Sequence, residues 1–127
     1  MNGTHPNGNI TYNAAAAVAK GQPVKFTGST TTTGMPTVTP CAAATDAAIG
    51  VALEPANAGE NVPVVILGNY TGTVEVLAGG AVSRGAQLGA TGATAASGNT
   101  TIGMALDAAT AKGQLIEVAH HAPGTAA

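Results

Sequence analysis

The chain has 127 residues with a formal net charge of −2, only 8% charged residues, 2% aromatic residues and no tryptophan. Four scattered cations (Lys20, Lys25, Arg84 and Lys112) exclude a phosphate-binding surface, which needs them clustered. No apolar run approaches the roughly 20 residues that span a bilayer, and the best candidate, Val62 to Leu67, is interrupted by Pro63.

This length supports one domain with short tails. Much of the hydrophobic fraction is alanine, which buries little area per residue. Such a chain lacks the high net charge of a disordered polymer, and its Ala, Thr, Gly and Val suit short strands with tight turns. Few charges separate its surface from that of a partner.

Residues 1–9 are polar, contain Pro6 and two Asn-Gly steps, and read as an N-terminal arm without the basic flank or apolar segment of a signal peptide. The β domain is expected over 10–118. Ile10, Tyr12 and Ala14 alternate with Thr11 and Asn13, the pattern of a first strand. Ala14 to Ala19 has room for one short helix, although one or two turns fall short of independent stability. Lys20-Gly-Gln-Pro23 is a turn signal, Val24 to Thr27 resumes as a strand, and Thr30 to Pro40 reads as a long surface loop containing Met35. An apolar run (Ala48 to Leu53), a Gly/Pro/Asn connection and a second run (Val62 to Leu67) form a hairpin-like unit. Pro63 is expected at an edge or at the start of its strand. Tyr70 to Leu77 alternates as a strand with one covered face. Residues 119–127 read as a C-terminal tail.

A duplication runs through the chain. Ile49-Gly50, Ala52-Leu53 and Glu54 recur as Ile102-Gly103, Ala105-Leu106 and Asp107, and Ala17-Val-Ala-Lys-Gly21 resembles Ala81-Val-Ser-Arg-Gly85. Gly50 and Gly103 each sit inside an apolar strand, where glycine marks a bulge or a close approach of backbones. The expected fold is all-β, a compact barrel or sandwich built from two related hairpin-containing halves, about 14–67 and 78–118, with extended terminal arms.

Catalytic chemistry is hard to find. His5 lies in the arm and His120-His121 in the tail, and adjacent histidines on a strand point to opposite faces, so one chain does not readily place both on one metal. A metal shared on an oligomer axis is the sharper and less economical reading. Cys41 has no histidine partner or electropositive setting, and a single cysteine suits a reducing cytoplasm. Glu54 and Asp107 read as solvated turn acids rather than a catalytic pair. The glycine-rich stretch from Gly89 to Gly98 lacks the ending of a phosphate loop. No enzyme, cofactor or metal is expected.

At the Ile49-Gly-Val-Ala-Leu-Glu54 and Ile102-Gly-Met-Ala-Leu-Asp107 blocks, and at the matching Lys20-Gly21 and Arg84-Gly85 turns, the chain resembles the small cement or decoration proteins of tailed-phage capsids. The resemblance covers roughly residues 9 to 119, and departs from the family in the Thr30 to Pro40 loop and the tail from His120. It implies a β-rich structural protein on the capsid exterior, made in the host cytoplasm, with the major capsid protein as partner and no nucleic acid or membrane. It also implies a homo-oligomer, a trimer ahead of a dimer. Ile10, Tyr12, Met35, His120 and His121 are the candidate partner-binding residues. The alternative is a carbohydrate- or surface-binding β module, against which the scarcity of aromatics counts.

Overall fold

The first alternating segment becomes β1 (Asn9–Ala14) in the computed structural model, which describes residues 8–127. Tyr12 and Ala14 point inward while Thr11 faces out, as the period of two requires. It is followed by β2 (Pro23–Thr30), β3 (Pro36–Pro40), β4 (Gly50–Ala52) and β5 (Asn61–Ile66). These five close into a barrel in the order β1-β3-β2-β4-β5, with β1 parallel to β3 and antiparallel to β5. Barrel width grows with strand number, so five strands leave a narrow interior. Ala14, Val24, Val38, Ala52, Val62 and Val64 fill it. A composition heavy in alanine and valine and nearly free of aromatics is what such an interior accepts.

The second half forms β6 (Val74–Leu77), β7 (Gln87–Gly89), β8 (Thr100–Ala105) and β9 (Leu115–Thr125), ordered β6-β9-β8-β7. That order repeats β1-β5-β4-β2, and the registers match residue for residue. Tyr12 pairs with Val62 as Val76 pairs with Ile116, and Val24 pairs with Gly50 as Leu88 pairs with Gly103. Outside the strands, Val18 and Ala56 exchange backbone hydrogen bonds as Val82 and Ala109 do. The Gly21 N–H donates to Ala52 O at 2.8 Å, and the Gly85 N–H to Ala105 O at 2.7 Å. The matched ladders reach back to Ile10 and Val74, so each unit begins one strand before residues 14 and 78.

The halves differ in how they close. In the first, residues read as a surface loop make β3, because Val38 is fully buried and the Thr37 hydroxyl donates to Ser29 O at 3.2 Å and pairs with the Thr27 hydroxyl. In the second, a tight turn at Gly89–Ala93 replaces that hairpin, and one bond from the Gly79 N–H to Gly92 O (3.0 Å) stands where β3 meets β1. Gly92 has a φ of +79°, and a side chain there is driven into the Leu77 carbonyl.

Three other expectations are corrected. No helix forms among the described residues: the Ala14–Ala19 run is too short, and its amides bond across the barrel instead, Ala15 N–H to Val38 O and Val18 N–H to Ala56 O. Of the Tyr70–Leu77 segment, only Val74–Leu77 is strand. Most of 119–127 is not a tail, since β9 continues to Thr125 by pairing with Thr100 and Thr101 of β8. That ladder gives its amides partners which composition does not reveal. Residues 1–7 of the expected arm, including His5, lie outside the described residues, while Asn9 already pairs with Val65.

Pro63 sits within β5, opposite Thr11, rather than at its start. Its carbonyl accepts from the Leu53 N–H at 2.9 Å, just past the end of β4, so the missing donor falls where the ladder with β4 has stopped. The matched residue in the second half is Glu117, which does have an N–H. The Asp107 carboxylate accepts from it at 3.2 Å, while the Glu117 carbonyl accepts from Leu106. Asp107, read as a solvated turn acid, therefore completes the ladder at the position where Pro63 has no donor to satisfy.

Two apolar clusters result. One fills the first barrel. The other joins the second half's interior to Val51, Val65 and Leu67 from the outer side of the first barrel.

Candidate docking surface

Among the described residues, nothing packs over the inward positions near one end of the first barrel. There Ile10 of β1, Phe26 of β2 and Ile66 of β5 continue the inward rows of Tyr12, Val24 and Val64 beyond the filled interior. Together with Ile49, Leu67 and Pro123 they line an open apolar mouth of about 460 Å³. Phe26 is 46% exposed, although its ring meets Tyr12 edge-on at 5.3 Å between centroids. Tyr12 is buried beneath it, and that burial raises its phenol pKa. Among the described residues, no charged side chain lines the mouth.

The C-terminal strand builds one wall. Between the pairs Gly103–His120 and Thr101–Gly124, β9 carries extra residues over β8, and this bulge accommodates Pro123, which cannot donate to a ladder. The Gly68 N–H donates to His120 Nδ1 at 2.9 Å, and Ala122 packs where a Gly68 side chain would lie. His120 also approaches the Tyr70 ring at 6.0 Å. His121 instead places Nε2 3.3 Å from Gln87 Nε2 and Nδ1 2.7 Å from Ala122 O. The two rings thus serve different partners and anchor the bulge. Among the described residues, no group of three or more His, Cys, Asp and Glu side chains converges to hold a metal.

Of the candidate partner-binding residues, the structure brings Ile10 and Tyr12 together at the mouth. Met35 lies in the β2–β3 turn, its N–H donating to Thr31 Oγ1 at 3.1 Å, and does not line it. Phe26, Ile49 and Ile66 were missed as candidates. Phe26 alternates with Val24, and that spacing was the available signal; which end of the strand stays open depends on tertiary packing.

Cys41 is buried, and its thiol is pushed up to about 11 by burial and by the Asp46 carboxylate, against the opposing pull of Lys25. Asp46 accepts from the Ala42 and Ala43 N–H groups at 2.8 and 2.9 Å and pairs with Lys25 at 3.1 Å, and these donors lower its pKa. Thiolate is the reactive form, so the folded protein is expected to alkylate with iodoacetamide at pH 8 about 100-fold more slowly than the same protein in denaturant. Equal rates measured by mass spectrometry contradict this placement of Cys41.

Residues 3–120 match the family described as phage cement protein. The fold is similar to the crystal structure of the head fiber gp8.5 N base in bacteriophage phi29, with a TM-score of 0.68 over 88% of this chain and 92% of that one. The two sequences are 18% identical, a level at which the likeness is one of fold. A search of curated proteins returns no match.

Proposed function

The chain belongs to the phage cement protein family, and from that premise we propose that it binds the outer surface of a phage capsid and stabilises the junctions between capsomers. The observation that carries this reading is a family match that spans both halves of the duplicated fold. Its role is structural and its place is the virion; the major capsid protein is the proposed partner, and a homo-oligomer, a trimer ahead of a dimer, the proposed form.

The physical basis is mass action on a lattice. A protein that binds the assembled shell but not free subunits stabilises the shell, by about 2.7 kcal/mol per site when present at 100 times its dissociation constant. Repeated sites on one particle add avidity without requiring any single strong contact. A surface with few charges and exposed apolar groups suits docking on protein better than on a polyanion. Residues 1–7 precede the first barrel strand, and in this reading they clamp a neighbouring capsid subunit.

The test is a titration of purified heads that lack the protein, read by co-sedimentation and by DNA release on heating. Saturable binding at a fixed ratio to capsid subunits, with release shifted to higher temperature, is expected. Removal of residues 1–7 leaves the Asn9–Val65 ladder intact and is expected to reduce occupancy at least about tenfold at equal concentration. Absence of binding, or binding that leaves the heads no more resistant to heat, overturns the reading. Unchanged occupancy on truncation overturns the clamp.

A further inference from the structure

One half of the chain already docks on the other, and the contact is not two-fold. On the first half, Val51, Val65 and Leu67 form an outward face that is fully or almost fully buried. They belong to the cluster containing Val74, Ala90 and Ile102 of the second half. By the matched registers Val74 stands where Ile10 stands in the first half, and counting along the chain from the matched Leu88–Gly103 and Val24–Gly50 pairs sets Ile102 against Ile49 and Ala90 against Phe26. The outward face of the first barrel thus shares one apolar core with the residues that stand at the second unit's mouth.

A two-fold arrangement places equivalent residues of both units in the interface. Here they are not. Val51 pairs with Val65, and the matched pair in the second half is Met104 with Ala119. Val51 is fully buried, whereas Met104 is 48% exposed. Val74, Ala90 and Ile102 are buried, whereas Phe26 is 46% exposed and Ile10 and Ile49 are half-buried. Among the described residues, the head-to-tail contact inside the chain therefore leaves one mouth on the first half and one apolar face on the second without a counterpart.

From this we infer that the mouth at Ile10, Phe26 and Ile49 receives the Met104 face of a second copy of this chain, by the same kind of contact that joins the two halves. Phe26 and Met104 are two of the three exposed large hydrophobic residues among those described. The described residues of the mouth carry no charge, and Gln87, opposite Met104, is uncharged as well. Methionine adapts to irregular apolar cavities and packs well against aromatic rings, which Tyr12 and Phe26 supply. A heterologous contact of this kind makes a ring when its rotation closes and a filament when it does not. Three chains in a ring set three barrels and three four-stranded sheets about one axis, which gives the trimer of the function proposed above a specific interface.

The inference deepens that oligomeric reading, and its test needs no capsid. Phe26→Asp removes the mouth and Met104→Asp removes the plug, the apolar face on the second half. Both side chains are substantially exposed, and circular dichroism and thermal unfolding check that each variant stays folded. At about 100 µM, light scattering is expected to find the parent chain in closed oligomers and each variant alone as a monomer. An equimolar mixture of the two variants retains one intact mouth and one intact plug, and is expected to form a particle of two chains. A self-complementary interface gives no such rescue. A monomeric parent chain, variants that assemble like the parent, or a mixture that remains monomeric overturns the inference. Capsid binding by a monomeric parent chain rejects this interface while leaving the capsid role in place.

Discussion

Gly50→Ala and Gly103→Ala are each expected to destabilise the fold by about 3 kcal/mol, lowering the melting temperature by on the order of 10 °C. Both glycines lie where two strands approach too closely for a side chain. A Cβ on Gly103 lies 2.6 Å from Ala119 O and 2.8 Å from the His120 Cα, and one on Gly50 meets the Val65 carbonyl and Val64 side chain. The groups in the way are largely backbone within the ladders, which cannot move without loss of strand hydrogen bonds. Gly80→Ala is the control: its φ is not positive and nothing lies within reach of an added Cβ, so its effect is expected to stay within about 0.5 kcal/mol. Chemical denaturation of the three variants measures the contrast, and a loss below about 1 kcal/mol at Gly50 and Gly103 contradicts the close approach.

The second large effect belongs to Leu88, among the largest fully buried side chains. Leu88→Ala is expected to cost about 3 kcal/mol, because the cavity opens in a ladder pinned by β7 and β8 and collapses poorly. Small domains have only about 5–15 kcal/mol in total, and an interior built mostly of alanine and valine has little to spare. Val24→Ala, at the matched position of the first barrel, removes less volume and is expected to cost about 2 kcal/mol. Leu115→Ala, on a 40% exposed residue, is expected to cost less than about 1 kcal/mol. Because Val51, Val65 and Leu67 join the second-half cluster, all of these variants should unfold in a single transition. Two resolved transitions in calorimetry contradict a shared core.

Much of this architecture was legible in residue order. Alternation located β1, an apolar run marked the Val62–Leu67 segment that holds β5, and the paired Ile-Gly-x-Ala-Leu-acid blocks announced the duplication that the matched ladders display. Glycine inside an apolar run pointed to close backbone approach, and the geometry at Gly50 and Gly103 is of that kind. The candidate surface was only partly legible. Ile10 and Tyr12 stood out by pattern, while Phe26 and Met104 became significant through comparison of their exposure with that of Ala90 and Val51.

What sequence by itself determined were local preferences: strand periodicity, turns at Gly and Pro, a repeated block, and side chains small enough for a narrow barrel. Tertiary structure decided which amides found partners. Thr- and Pro-rich residues became β3 because Thr37 and Val38 found a buried slot beside β2 and β1, and the His-Pro-Gly segment became strand because β8 offered it a ladder. Periodicity records which face of a strand is apolar. Whether that face is covered depends on what the rest of the chain, or another copy of it, brings to the surface.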